Sequence, residues 1–104
     1  MAGTRKIVRS FRVEPSEVPS HLQDLIPFVE RWGINCDVTR HDYFDKQPVE
    51  DVRDLARTIG RRQEEINAWL DSIPEDGRTE AYYQFLCLLV AWNEAACEFP
   101  DEVQ

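Results

Sequence analysis

The stretch Thr79-Glu80-Ala81-Tyr82-Tyr83-Gln84-Phe85-Leu86-Cys87-Leu88-Leu89-Val90-Ala91-Trp92-Asn93-Glu94-Ala95-Ala96-Cys97-Glu98-Phe99-Pro100 decides the fold. Thr79 offers a side-chain oxygen to the unpaired amides of a helix start, Glu80 suits the first turn, and Pro100 ends the run near Phe99. From Phe85 to Trp92 the residues are apolar almost all round, which marks a helix surrounded by others. That run is eight residues long, well short of the ~20 needed to cross a bilayer.

Working upstream, Val49, Val52, Ala56, Ile59, Gln63, Ile66, Leu70 and Ile73 step by threes and fours. Such a stripe predicts a long amphipathic helix. Pro48 suits its start, and Glu50 and Asp51 favour its first turn. Gly60 lies inside the stripe without shifting its phase, so one kinked helix and two short ones both fit. Pro74-Glu75-Asp76-Gly77-Arg78 is a turn signal. An earlier helix is expected over Asp24 to Trp32, with Asp24 as its cap, Pro27 in the first turn and Gly33 as its terminator. Its apolar face is Leu25, Phe28, Val29 and Trp32. Ile34 to Gln47 is mixed and reads as a short helix or turn ending before Pro48. The expected fold is all-α: a small bundle of three to four helices around the apolar C-terminal helix, with an extended N-terminal arm. Residues 1–19 read as the arm and its proline-containing loop, and residues 20–104 as a single helical domain.

Charge is laid out unevenly. The 104 residues hold 12 Lys plus Arg against 20 Asp plus Glu, a net charge of −8. Before Glu14 the only charges are Arg5, Lys6, Arg9 and Arg12; everything after that is strongly acidic. An acidic body repels phosphates and anionic lipid, so neither nucleic acid nor a membrane surface is the expected partner. The three cysteines, Cys36, Cys87 and Cys97, form no CxxC pair. Reduced thiols and the absence of a signal-like apolar segment point to a cytoplasmic setting.

Few residues suggest chemistry. No nucleophile elbow, phosphate loop or dinucleotide fingerprint occurs, no cofactor is implied, and no catalytic residue is assigned. If residues 37–45 are helical, Asp37, His41 and Asp45 fall on one face, with Asp42 beside them, and could serve a small metal-dependent enzyme or a metal-binding protein. A surface salt-bridge cluster with Arg40 and Lys46 nearby is the more ordinary reading of that spacing. His21 has no sequence partner and reads as a surface residue.

The acidic residues cluster as Glu50, Asp51 and Asp54, then Glu64, Glu65 and Asp71, then Glu75, Asp76 and Glu80. Trp69, one step off the Ile66–Leu70 seam, fits either an exposed anchor or core packing. From these the expected function is a non-enzymatic interaction module. Glu50, Asp51, Asp54, Glu64, Glu65, Trp69 and Asp71 form its partner-binding surface, and the partner is another protein of basic character. An immunity-like inhibitor of a basic toxin is one concrete form. Self-association, with the basic arm of one copy on the acidic body of another, is the third reading.

The segment Leu22-Gln23-Asp24-Leu25-Ile26-Pro27-Phe28-Val29-Glu30-Arg31-Trp32-Gly33-Ile34 resembles that of a group of small bacterial proteins carrying L-x-x-L-x-P-x-x-E-x-W-G-I. In that group two acids often follow, where this chain has Asn35-Cys36-Asp37. The resemblance implies a bacterial cytosolic protein and supplies neither an activity nor a catalytic residue.

Overall fold

The computed structural model describes residues 12–33 and 46–103. Three α-helices account for most of them: α1 over Ile26–Trp32, α2 over Val49–Asp71 and α3 over Glu80–Glu98. Short 3-10 turns lie at Pro15–Glu17, Ser20–Leu25, Glu75–Gly77 and Pro100–Glu102. No strand occurs among the described residues. The chain is an all-α bundle, as the periodicity requires. No described helix is long and apolar enough to cross a membrane.

α3 begins where its sequence says. Thr79 is its N-cap and its hydroxyl oxygen accepts from the Tyr82 amide at 3.4 Å. A second acceptor arrives from far away in sequence: the Glu17 carboxylate takes the Ala81 N–H at 3.2 Å. Both oxygens sit at the positive end of the helix, where acceptors are favoured. Phe85, Leu88, Ala81 and Ala95 of α3 are fully buried against Leu55, Ala56, Ile59 and Ile66 of α2 and Val29 and Trp32 of α1. α3 is central in that both other helices pack on it. It is not enclosed, however, because Tyr83, Leu86 and Val90 face outward.

The helix that contains Asp24 in sequence starts later than its pattern suggests. Ser20–Leu25 winds as a 3-10 turn, and the α-helical bonds begin only at Ile26. Asp24 caps nothing; its carboxylate receives Arg62 at 2.7 Å. The ion pair to α2 engages the carboxylate in place of a cap on α1. Gly33 does end α1, but with φ −87° and ψ 0°, not in the left-handed region. Its need for glycine is steric. A Cβ there would stand 2.9 Å from the Val29 carbonyl oxygen and 3.1 Å from that of Gln84. The end of α1 thus lies directly on the backbone of α3.

Gly60 neither breaks nor ends α2, which runs unbroken for 23 residues. The missing side chain makes room for two neighbours. A Cβ would meet Val103 Cγ1 at 3.2 Å and the Trp92 indole nitrogen at 3.4 Å. That indole donates to the Ala56 carbonyl at 3.0 Å. The ~1 kcal/mol that glycine costs inside a helix is offset by this close packing and by a hydrogen bond that satisfies the half-buried indole.

The segment ahead of α1 belongs to the same core. Val13 and Val18 are buried with the helical residues. Val13 N–H donates to the Glu30 carboxylate at 2.9 Å, and Gln84 Nε2 donates to the Arg12 carbonyl at 3.1 Å.

Candidate functional site

The expected partner-binding residues all sit on or beside α2, but they divide into two groups with different electrostatics. At the N-terminal end Asp51 and Asp54 line a groove of about 180 Å³ with Pro27, Phe28, Arg31 and Trp32. The Arg31 guanidinium lies 4.5 Å from the centre of the Trp32 ring and donates to Asp51 at 2.7 Å and to Gln47 at 2.9 Å. Asp54 accepts from Arg57 at 3.0 Å and from the Thr58 hydroxyl at 3.1 Å. Each acid in the groove therefore has an arginine. Small-molecule sites usually enclose ~300–1,000 Å³, so this groove admits a side chain rather than a cofactor. Glu50 is exposed on the same turn.

The network continues to the end of the described chain. Arg53 reaches Glu102 at 2.9 Å and stacks 4.4 Å from the Phe99 ring centre, and Arg57 reaches Glu102 at 3.2 Å. The Glu102 carboxylate, with Asp101 beside it, holds the Arg53 guanidinium above its ordinary pKa. These contacts fasten the Pro100–Glu102 turn onto α2.

At the C-terminal end of α2 the balance differs. Arg62 is shared between Asp24 and Glu65, at 2.7 and 3.1 Å. The hydrogen bond from Arg62 holds the Asp24 carboxyl below the usual carboxylate range. Glu64 and Asp71 are exposed, and no ion pair among the described residues reaches them. The following turn adds Glu75 and Asp76, and α3 begins with Glu80, all exposed. Arg78, the one basic residue in that turn, has its guanidinium 4.8 Å from the Tyr82 ring centre. Among the described residues, negative charge therefore exceeds positive where α2 turns into α3, with Arg61 and Arg78 the nearby exposed basic residues.

Trp69 is half-buried and meets Phe85 edge to face, ring centres 5.1 Å apart. Its position off the seam is thus a packing position, and it is unsuited to protrude as an anchor. Asp54 and Asp71 are separated by ~25 Å of helix, so the two acidic ends of α2 cannot converge on one small ligand. They form an extended face.

The Asp37, Asp42, His41 and Asp45 constellation lies outside the described residues, as does the arm through Phe11. Among the described residues no group of three or more His, Cys, Asp or Glu side chains is placed to hold a metal ion. His21 is exposed, and its backbone carbonyl accepts from Arg62 at 2.7 Å. Sequence reasoning missed Phe28, Arg31 and Arg62 as organisers of this surface. The adjacency Arg31-Trp32 was the one local signal for the stacked pair; apart from Glu65, the partners of Arg62 lie 38 and 41 positions away. Compared with family models, with curated proteins and with solved structures, the chain matches none.

Proposed function

We propose that this chain is a non-enzymatic interaction module whose acidic face, along α2 and the turn into α3, binds a basic partner protein. One observation carries the reading. Three of the four arginines on α2 are engaged internally, Arg53, Arg57 and Arg62 with Asp101, Glu102, Asp54, Asp24 and Glu65, and Arg61 alone of the four is exposed outside these pairs. Glu64, Asp71, Glu75 and Asp76 are left exposed to act on a partner. A field of one sign speeds encounter with an oppositely charged protein and weakens as salt screens it, with a Debye length of ~10 Å at 0.1 M. An immunity-like inhibitor of a basic toxin is the concrete form that suits a small acidic bundle whose sequence carries no recognised catalytic motif.

The test is affinity capture from the native host at low and high salt, with the wild-type chain and the Glu64→Lys/Asp71→Lys chain. A basic partner retained at low salt, released at high salt and lost on charge reversal supports the reading. Equal capture after reversal of all three acidic groups overturns it.

A further inference from the structure

Residues 12–18 run along α3 with a definite heading. The Glu17 carboxylate meets Ala81 N–H, and the Arg12 carbonyl meets Gln84 Nε2. As the numbering falls from 17 to 12, the chain therefore advances toward the C-terminal end of α3, by ~4.5 Å of helix rise. Gln84 is itself buried, 6% exposed, and its Oε1 accepts no hydrogen bond among the described residues. An unpaired buried acceptor is costly, and this one lies where the chain ahead of Arg12 departs.

Beside that departure point lies the open face of α3. Tyr83, Leu86 and Val90 are 52%, 36% and 45% exposed. Their spacing of three and four makes one stripe. Farther along, Glu94 and Glu98 have no ion pair among the described residues, and α3 contains no Lys or Arg at all. The complement of such a face is a segment with apolar residues and positive charge and no acids. The residues before Arg12 are of that kind: Arg5, Lys6 and Arg9, with Ile7, Val8 and Phe11, and no Asp or Glu.

We propose that the open face of α3 is the docking surface for the basic segment that precedes Arg12 in the same chain. Its apolar residues would cover Tyr83, Leu86 and Val90, and its basic residues would stand opposite Glu94 and Glu98. The reach agrees. Extended chain covers ~3.3 Å per residue, so ~23 Å separates Arg12 from Arg5. The rise from Gln84 to Glu98 is ~21 Å. This docking neutralises α3 and leaves the acids of α2 to an outside partner, so it stands independently of the interaction proposed above.

Paramagnetic relaxation in the full-length chain tests it. A nitroxide is placed at Thr4→Cys in a background of Cys36→Ser, Cys87→Ala and Cys97→Ser. The amide signals of Val90 to Glu98 are expected to broaden several-fold more than those of Glu64 to Asp71. Arg5→Glu/Lys6→Glu/Arg9→Glu should abolish the difference, and adding Glu94→Lys/Glu98→Lys should restore it. Equal broadening of both regions, or none, overturns the proposal. So does broadening of an isotope-labelled chain by a separate spin-labelled copy, which would make a second molecule the occupant. If the cysteine-free background does not fold, Glu94→Lys/Glu98→Lys in the otherwise unaltered chain replaces it. Amide shifts must then appear both at Tyr83–Val90 and within residues 4–11; shifts confined to the substituted positions overturn the proposal.

Discussion

The two faces of α3 are nearly alike in composition and opposite in circumstance. Phe85, Leu88 and Ala95 are wholly buried under α1 and α2, whereas Tyr83, Leu86 and Val90 a third of a turn or more away face outward. Hydropathy reports how much apolar surface a helix carries. Which part is covered depends on the other helices available. Here one of them, α1, has only seven residues, too few to wrap a 19-residue helix. Apolar content on an uncovered face calls for an occupant more than it contributes to the core.

The contrast can be broken from its strongest side. Phe85→Ala removes a fully buried ring packed against Trp69 and is expected to cost ~3–5 kcal/mol in denaturant unfolding; a loss below ~1 kcal/mol would erase the distinction between the faces. Gly33→Ala attacks the contact between α1 and the inner face of α3. Its methyl would meet two carbonyl oxygens, and a loss of ~1–3 kcal/mol is expected from the forced backbone shift. A chain as stable as wild type would show that α1 can slide on α3.

Arg62→Ala loosens the tie between α2 and the turn ahead of α1. The pair is partly exposed, so up to ~1 kcal/mol is expected at neutral pH. Its clearer mark is in acid. Folded Asp24 titrates below its ordinary value because Arg62 holds the charged form. The contribution is therefore complete above the unfolded pKa and disappears as pH falls through the lower folded one. Stability measured against pH should lose this acid step in the variant, and an unchanged acid limb would dismiss the tie. The smallest effect is expected on the open face, where Leu86→Gln should change stability by no more than ~0.5 kcal/mol. A larger loss would mean that whatever covers this face, the docked basic segment included, contributes to stability as the core does.

Much of the architecture was legible because it rests on local chemistry. The Thr79 cap, the Pro100 stop and the three-four stripe from Val49 each involve neighbours in sequence. Gly60 left one helix or two open, because its role depends on Trp92, 32 positions later, whose indole packs where a side chain would stand. Asp24 misled: a local cap and a distant arginine compete for one carboxylate, and the sequence shows only the former. The acidic groups were visible as groups. Their division, among the described residues, into an end paired with arginines and an end with excess acid was not, since Arg31 with Asp51 and Arg57 with Glu102 pair across 20 and 45 positions. Such pairs are set by how helices dock, and no spacing rule encodes that.

The Glu17 carboxylate on the Ala81 amide joins positions 64 residues apart. A helix whose first turn is completed by so remote a group cannot finish forming until the far segment arrives. Proton exchange at that amide should follow the undocking of residues 12–18, and not the fraying of α3 alone. The start of the last helix and the entry of the chain into the bundle then open as one cooperative unit.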